Sequence, residues 1–124
     1  MILVLEKHLE EIKAHGEATY PFECGGMLIG TFEEGGKRTV VETFPLENSS
    51  TEDQSVRILI SPRDVLKAER YARSQKLEVI GYYHSHPEDE AIPSQYDLDH
   101  ALPVWSYIIV SVLKGKSADI RSWV

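Results

Sequence analysis

Two histidines two residues apart, and an aspartate eleven residues beyond the second, form the clearest chemical pattern in the chain. The pattern reads His84-Ser85-His86-Pro87, six residues, then Ser94-Gln95-Tyr96-Asp97. These residue types are ligands for a divalent metal. Three protein ligands leave one tetrahedral position for water, which is the arrangement of a catalytic zinc rather than a structural one. Side chains alternate along a strand, so His84 and His86 share a face, their Cα atoms roughly 6.5 Å apart at about 3.3 Å per residue. Imidazoles at that separation converge on one ion, each at about 2.0–2.1 Å. Pro87 ends the strand, and Asp97, on the first turn of a helix, returns as the anionic ligand. Two neutral histidines and one carboxylate leave the ion a net positive charge. That charge polarises a carbonyl and lowers the pKa of bound water toward roughly 7. The set predicts a metal-dependent hydrolase.

Each part also has a plainer reading. Two histidines on one face are more often partly buried rings than ligands. Ser94-x-x-Asp97 is also a capping-box pattern. The two roles are compatible, because Ser94 can cap the helix and still present its hydroxyl to the site. The conjunction of positions favours the metal. Such a site also needs a proton shuttle that is not a ligand, and the chain has 20 acidic residues. Glu88, Asp89 and Glu90 read as a solvated loop tip. Glu23 is better placed by context. It lies between Pro21 and Cys24-Gly25-Gly26 at the mouth of a strand, where glycines permit close backbone approach.

The elements that must position these groups follow from periodicity and turn chemistry. Leu5 to Ala18 reads as a helix, with Leu5, Leu9 and Ile12 on one face and His8 and His15 at solvated positions. Gly16 and Pro21 bracket its end. Met27 to Phe32 and Arg38 to Pro45 read as strands around a Glu34-Gly35-Gly36-Lys37 turn. Glu47 to Ser55 reads as a loop and Val56 to Ile60 as a strand. Ser61-Pro62-Arg63-Asp64 starts a helix that runs to about Gln75. Val79 to His86 is a buried strand. A short helix begins at Ser94 and ends before Pro103, and His100 lies at its edge. Trp105 to Leu113 and Ala118 to Trp123 are strands around a Lys114–Ser117 turn. This order predicts α/β layers with a mixed sheet and helices packed on it.

Size and composition agree with one domain over residues 1–124. The apolar share of 42% and charged share of 27% are ordinary for a globular protein. No run approaches the ~18 apolar residues of a membrane span. Met1 to Leu5 is apolar, but Glu6, Glu10 and Glu11 follow at once, unlike a secretory signal. The sequon at Asn48 is then a chance match. The single Cys24 excludes an internal disulfide framework and any multi-cysteine metal site. The cytoplasm fits best. The net charge of −7, with no basic face, argues against a nucleic-acid binder. The oligomeric state stays open.

His84-Ser85-His86-Pro87 with Ser94 and Asp97 at these spacings resembles the signature of the JAMM (MPN+) metalloproteases. Upstream, Pro21-Phe22-Glu23-Cys24-Gly25-Gly26-Met27-Leu28-Ile29-Gly30 resembles that family's glutamate-bearing segment. The resemblance covers essentially the whole chain. It implies a cytidine-deaminase-like fold, a mixed curved β-sheet flanked by helices. It implies one zinc per chain on His84, His86 and Asp97. Glu23 would hold the zinc water, take its proton and pass it to the leaving amine. Ser94 would donate a hydrogen bond to the tetrahedral oxyanion. The implied activity is hydrolysis of a peptide or isopeptide bond after the C-terminal tail of a ubiquitin-like protein.

The family's eukaryotic deubiquitinases carry insertions for which this chain has little room. It looks like the minimal, prokaryotic type, expected to act on ubiquitin-like sulfur carriers with a Gly-Gly terminus or on their conjugates. A Gly-Gly tail suits a narrow groove, framed by the strand after Gly81 and the loop around Asn48 to Ser55. Rival readings stand beside this one. A zinc deaminase needs Pro-Cys-x-x-Cys, which one cysteine cannot supply. Cys24 beside two glycines could be a nucleophile, a buried small residue, or a neighbour of the zinc site. The non-enzyme alternative is a binding module for ubiquitin-like tails. His-His-carboxylate suits zinc, but manganese, iron or cobalt could occupy it.

Overall fold

The side chains of β4, Glu78–Pro87, hold two of the three predicted ligands, and the sheet is built around this strand. A computed structural model of the chain describes residues 2–46, 62–99 and 105–123. In chain order the elements are β1 (Ile2–Leu3), α1 (Glu6–Thr19), β2 (Gly25–Phe32), β3 (Arg38–Leu46), α2 (Pro62–Ser74), β4, α3 (Gln95–Asp99), β5 (Ser106–Leu113) and β6 (Lys116–Trp123). The expected strand Val56–Ile60, the loop around Asn48 to Ser55, the Ser61 cap, the end of the short helix before Pro103 and His100 lie outside the described residues. Among the described residues no helix is long and apolar enough to cross a membrane.

The sheet is mixed, in the order β1-β3-β2-β4-β5-β6. β4 runs parallel to β5 and antiparallel to β2. Both of its edges are therefore occupied. From Gly81 to His84 a peptide thus cannot pair with the backbone of this strand. Gly81 itself is forced: a β-carbon there would sit 2.1 Å from the Ser106 carbonyl oxygen of β5.

The register beside Gly81 sets which way the histidines face. In the β2–β4 register Leu28 pairs with Gly81 and Ile29 with Val79, so one residue of β4 is unmatched. Such a bulge shifts the alternation by one. Ile80 and Tyr83 consequently pack on one face, in a core with Ile12 of α1, Cys24, Leu28, Val110 and Val112. Val79 and Tyr82 pack on the other, against Met27, Leu46 and Ala68 of α2. Continued alternation puts Ser85 with the α1 core and His84 and His86 on the opposite face.

α1 buries a different stripe from the expected one. Leu5 is 61% exposed, whereas Ile12 is fully buried. His8 and Gly16 are also buried, which defines a face at His8, Ile12, His15 and Gly16. The two histidines are not solvated. His8 Nδ1 bonds Glu11 Oε1 at 2.7 Å, and His15 Nδ1 shares a 2.7 Å hydrogen bond with the hydroxyl of buried Tyr83. Burial pushes the His15 pKa below its ordinary value, which keeps the ring neutral against the core. Each histidine has a partner on Nδ1, so the helix face can bury His8 and half-bury His15.

Candidate metal centre

Three donor atoms meet where β4 ends. His84 Nε2 and His86 Nε2 lie 3.0 Å apart. Asp97 Oδ2 lies 3.0 Å from His86 Nε2 and 3.2 Å from His84 Nε2. Tetrahedral ligands at about 2.0–2.1 Å from a zinc ion stand about 3.3 Å from one another. The triangle therefore has the size one such ion requires. His84, His86 and Asp97 are also the set of donors that could hold a metal ion among the described residues.

Each ring is oriented from behind. His86 Nδ1 is 2.8 Å from the carbonyl oxygen of Glu90, so it donates outward and leaves Nε2 facing the triangle. His84 stacks on Tyr82, with centroids 5.4 Å apart and planes at 25°. The ring is 2% exposed, and its Nδ1 has no hydrogen-bond partner among the described residues. Burial drives the His84 pKa down, against the opposing pull of Asp97, which favours the neutral ring. At His86 burial also pushes down, but the hydrogen bond and charge of Asp97, the Glu90 carbonyl and the charge of Glu23 together hold it above the ordinary value. Burial would raise the Asp97 carboxyl, yet hydrogen bonds from both histidines and the Ser94 backbone hold it far below the usual carboxylate range. An ionised carboxylate against two imidazoles is a donor set ready for a cation.

Asp97 is aimed by the start of α3. The Ser94 N–H donates to Asp97 Oδ2 at 2.9 Å, and the Asp97 N–H donates to Ser94 Oγ at 3.1 Å. This is the reciprocal cap that the Ser-x-x-Asp spacing predicts. Ser94 Oγ acts here as acceptor, so its own proton remains free to donate.

Glu23 arrives from the other neighbour of β4. Gly25 pairs with His84. One residue further, the Ser85 N–H donates to the Cys24 carbonyl at 3.1 Å, and the Cys24 N–H donates to Ser85 Oγ at 2.8 Å. Glu23 thus comes beside His86, on whose charge it acts. It is 6% exposed, buried for a carboxylate. The same alternation turns Cys24 into the α1 core. Burial pushes its thiol up to about 11. Such a thiol is not a nucleophile near neutral pH. Native protein should resist thiol reagents at pH 8, and Cys24→Ala should keep kcat within about threefold, the change being a modest packing loss. Abolished turnover would restore the nucleophile reading.

Sequence reasoning missed the Glu90 carbonyl, because a backbone acceptor leaves no residue signature. It also missed the anchoring of residues 88–91. The Ser111 hydroxyl donates to the Asp89 carbonyl, and Trp123 Nε1 donates to the Ala91 carbonyl at 3.2 Å.

A family profile described as prokaryotic homologs of the JAB domain matches residues 5–124. Desampylase from Haloferax volcanii is 32% identical over 92 residues, 73% of this chain and 63% of that protein. Tail tip assembly protein K of Escherichia phage N15 is 33% identical over 120 residues, 94% of this chain and 42% of that protein. A probable TtuB-protein conjugate cleaving protease from Thermus thermophilus is 32% identical over 101 residues, 82% of this chain and 64% of that protein. The chain spans less than two thirds of the length of each of these relatives. A protein from Desulfitobacterium hafniense superimposes with a TM-score of 0.79 at 29% identity, over 98% of this chain and 90% of that one. A JAB1/MPN domain protein from Archaeoglobus fulgidus superimposes with a TM-score of 0.58 at 19% identity, over 94% of this chain and 82% of that one, a likeness of fold.

Proposed function

Because the chain belongs to the prokaryotic JAB-domain family, we propose that it is a zinc-dependent peptidase or isopeptidase. Its substrate is the bond that follows the C-terminal Gly-Gly tail of a ubiquitin-like or sulfur-carrier protein. The observation that carries this reading is the triangle of His84 Nε2, His86 Nε2 and Asp97 Oδ2, with edges of 3.0–3.2 Å. Two relatives named for cleaving conjugates, the desampylase and the TtuB-conjugate protease, support the substrate class. Residues 1–124 act as one domain with cytidine-deaminase-like layering, at work in the cytoplasm.

His84, His86 and Asp97 would hold one zinc per chain. Bound there, a divalent metal would supply Lewis acidity to the scissile carbonyl and the attacking water. The chain's own residues do the rest. Glu23 takes the proton of the attacking water on a carboxylate oxygen and delivers it to the leaving amine nitrogen. The free Ser94 hydroxyl donates to the oxyanion as the carbonyl carbon becomes tetrahedral. Burial of Glu23 and both histidines excludes competing water from the reacting groups.

The overlap with the tail tip assembly protein, 94% of this chain, favours a second reading in which this fold serves assembly of a larger particle. One assay separates the two. The purified chain is incubated with a ubiquitin-like protein fused through its Gly-Gly end to a reporter. Cleavage after the second glycine, lost with a chelator and regained with zinc, is the expected result. No cleavage and no bound metal would leave assembly or tail binding as the function.

A further inference from the structure

One carboxylate joins the separate segments that deliver the site. Glu88 stands two residues beyond His86, immediately after β4. Its Oε1 accepts the Tyr20 hydroxyl. The same oxygen accepts the Lys114 N–H at 2.6 Å. Tyr20 ends α1 three residues before Glu23, and Lys114 lies in the turn between β5 and β6. So one side chain reaches the segment bearing Glu23, the strand bearing His86 and the turn beyond β5.

The backbone agrees that this is a held position. The Glu88 N–H donates to the Val112 carbonyl at 2.7 Å. Glu88 has φ of 58°, in the left-handed region that a free solvated loop fills with glycine or asparagine. Its neighbours Asp89, Glu90 and Ala91 have their carbonyls taken by Ser111, His86 and Trp123. A loop tip that served only solubility would need none of these contacts.

We propose that Glu88 is a positioning residue whose carboxylate pins the Tyr20–Glu23 segment to the end of β4. Glu23 is thereby held in register with His86. The inference rests on the reading of Glu23 as the proton-transfer group, but its physical core, the coupling of two segments, stands apart from activity.

The test compares the full chain with Glu88→Ala, Glu88→Gln and Tyr20→Phe. Amide exchange is followed by NMR in metal-free protein, and kcat, KM and zinc content are measured in zinc-loaded protein. The amides of Phe22 and Cys24 flank Glu23 and are bonded to the Thr19 carbonyl and Ser85 Oγ, so they report on its segment. Glu88→Ala should speed exchange at Phe22, Cys24 and Lys114 by about tenfold. It should lower kcat about tenfold through misplacement of Glu23, with KM and zinc content unchanged. Glu88→Gln keeps an acceptor oxygen and should restore most of both. Tyr20→Phe should speed Phe22 and Cys24 while sparing Lys114. If Glu88→Ala speeds Lys114 alone, the carboxylate only caps a turn and the proposal fails. It also fails if zinc content and kcat fall together while KM rises. A parent chain with no cleavage at all would sink the hydrolase reading, and the exchange results would still decide the coupling.

Discussion

Glu23→Gln should keep its zinc and lose about two to four orders of magnitude in kcat, the range a positioned general base contributes. The substitution is nearly isosteric, so a group only 6% exposed is replaced without opening a cavity. The amide accepts a hydrogen bond in the same place but cannot take up a proton. The loss therefore isolates proton transfer from packing. Glu23 is not one of the three converging donors, so metal content should stay near one per chain. The measurement is kcat on a Gly-Gly fusion, with zinc quantified and the melting temperature recorded on the same preparation. Full activity in Glu23→Gln would move the proton-transfer role to another group. Asp89 and Glu90 are both exposed, and the Asp89 carboxylate already accepts the Glu90 N–H at 2.8 Å.

The convergence of His84, His86 and Asp97 could be read from the sequence because each part of it is local. Spacing two on a strand puts both imidazoles on one face wherever the strand lies. Ser94 and Asp97 sit at the spacing of a helix cap, and the structure uses them as one. Which face the histidines take is not local. It depends on the unmatched residue near Gly81, and a period-two pattern does not reveal where an alternation slips. The rotation of α1 is hidden for a related reason. His8 and His15 are polar by type, and only Glu11 and the distant Tyr83 make their burial tolerable. β1 pairs with Arg38 and Thr39 over two residues, too few to show any period. Glu88 belongs to the same class. In sequence it is the first of three acids after a proline, and only the fold brings Tyr20 and Lys114 to it.

His86→Ala should lose both zinc and activity while the sheet survives. Of the three donors, His86 sits nearest both others, 3.0 Å from His84 Nε2 and 3.0 Å from Asp97 Oδ2. Removing it leaves one imidazole and one carboxylate, too few to fix a tetrahedral ion. Weakening a group that merely orients a ligand costs about 10–100-fold in metal affinity, so losing a ligand outright should exceed that. Zinc per chain should fall from about one to near zero at micromolar free zinc, and cleavage should become undetectable. The fold should tolerate the change. His86 lies on the site face rather than in the α1 core, and its backbone stays paired with Ser111 of β5. Asp97 keeps the Ser94 N–H as a partner, so its charge is not stranded. The readout is zinc by mass spectrometry on folded protein, with circular dichroism to establish that the sheet persists. Retained zinc in folded His86→Ala would place the ion on other donors. Because the Glu90 carbonyl orients only this ring, the loop from Glu88 to Ala91 would then lose its connection to the metal as well.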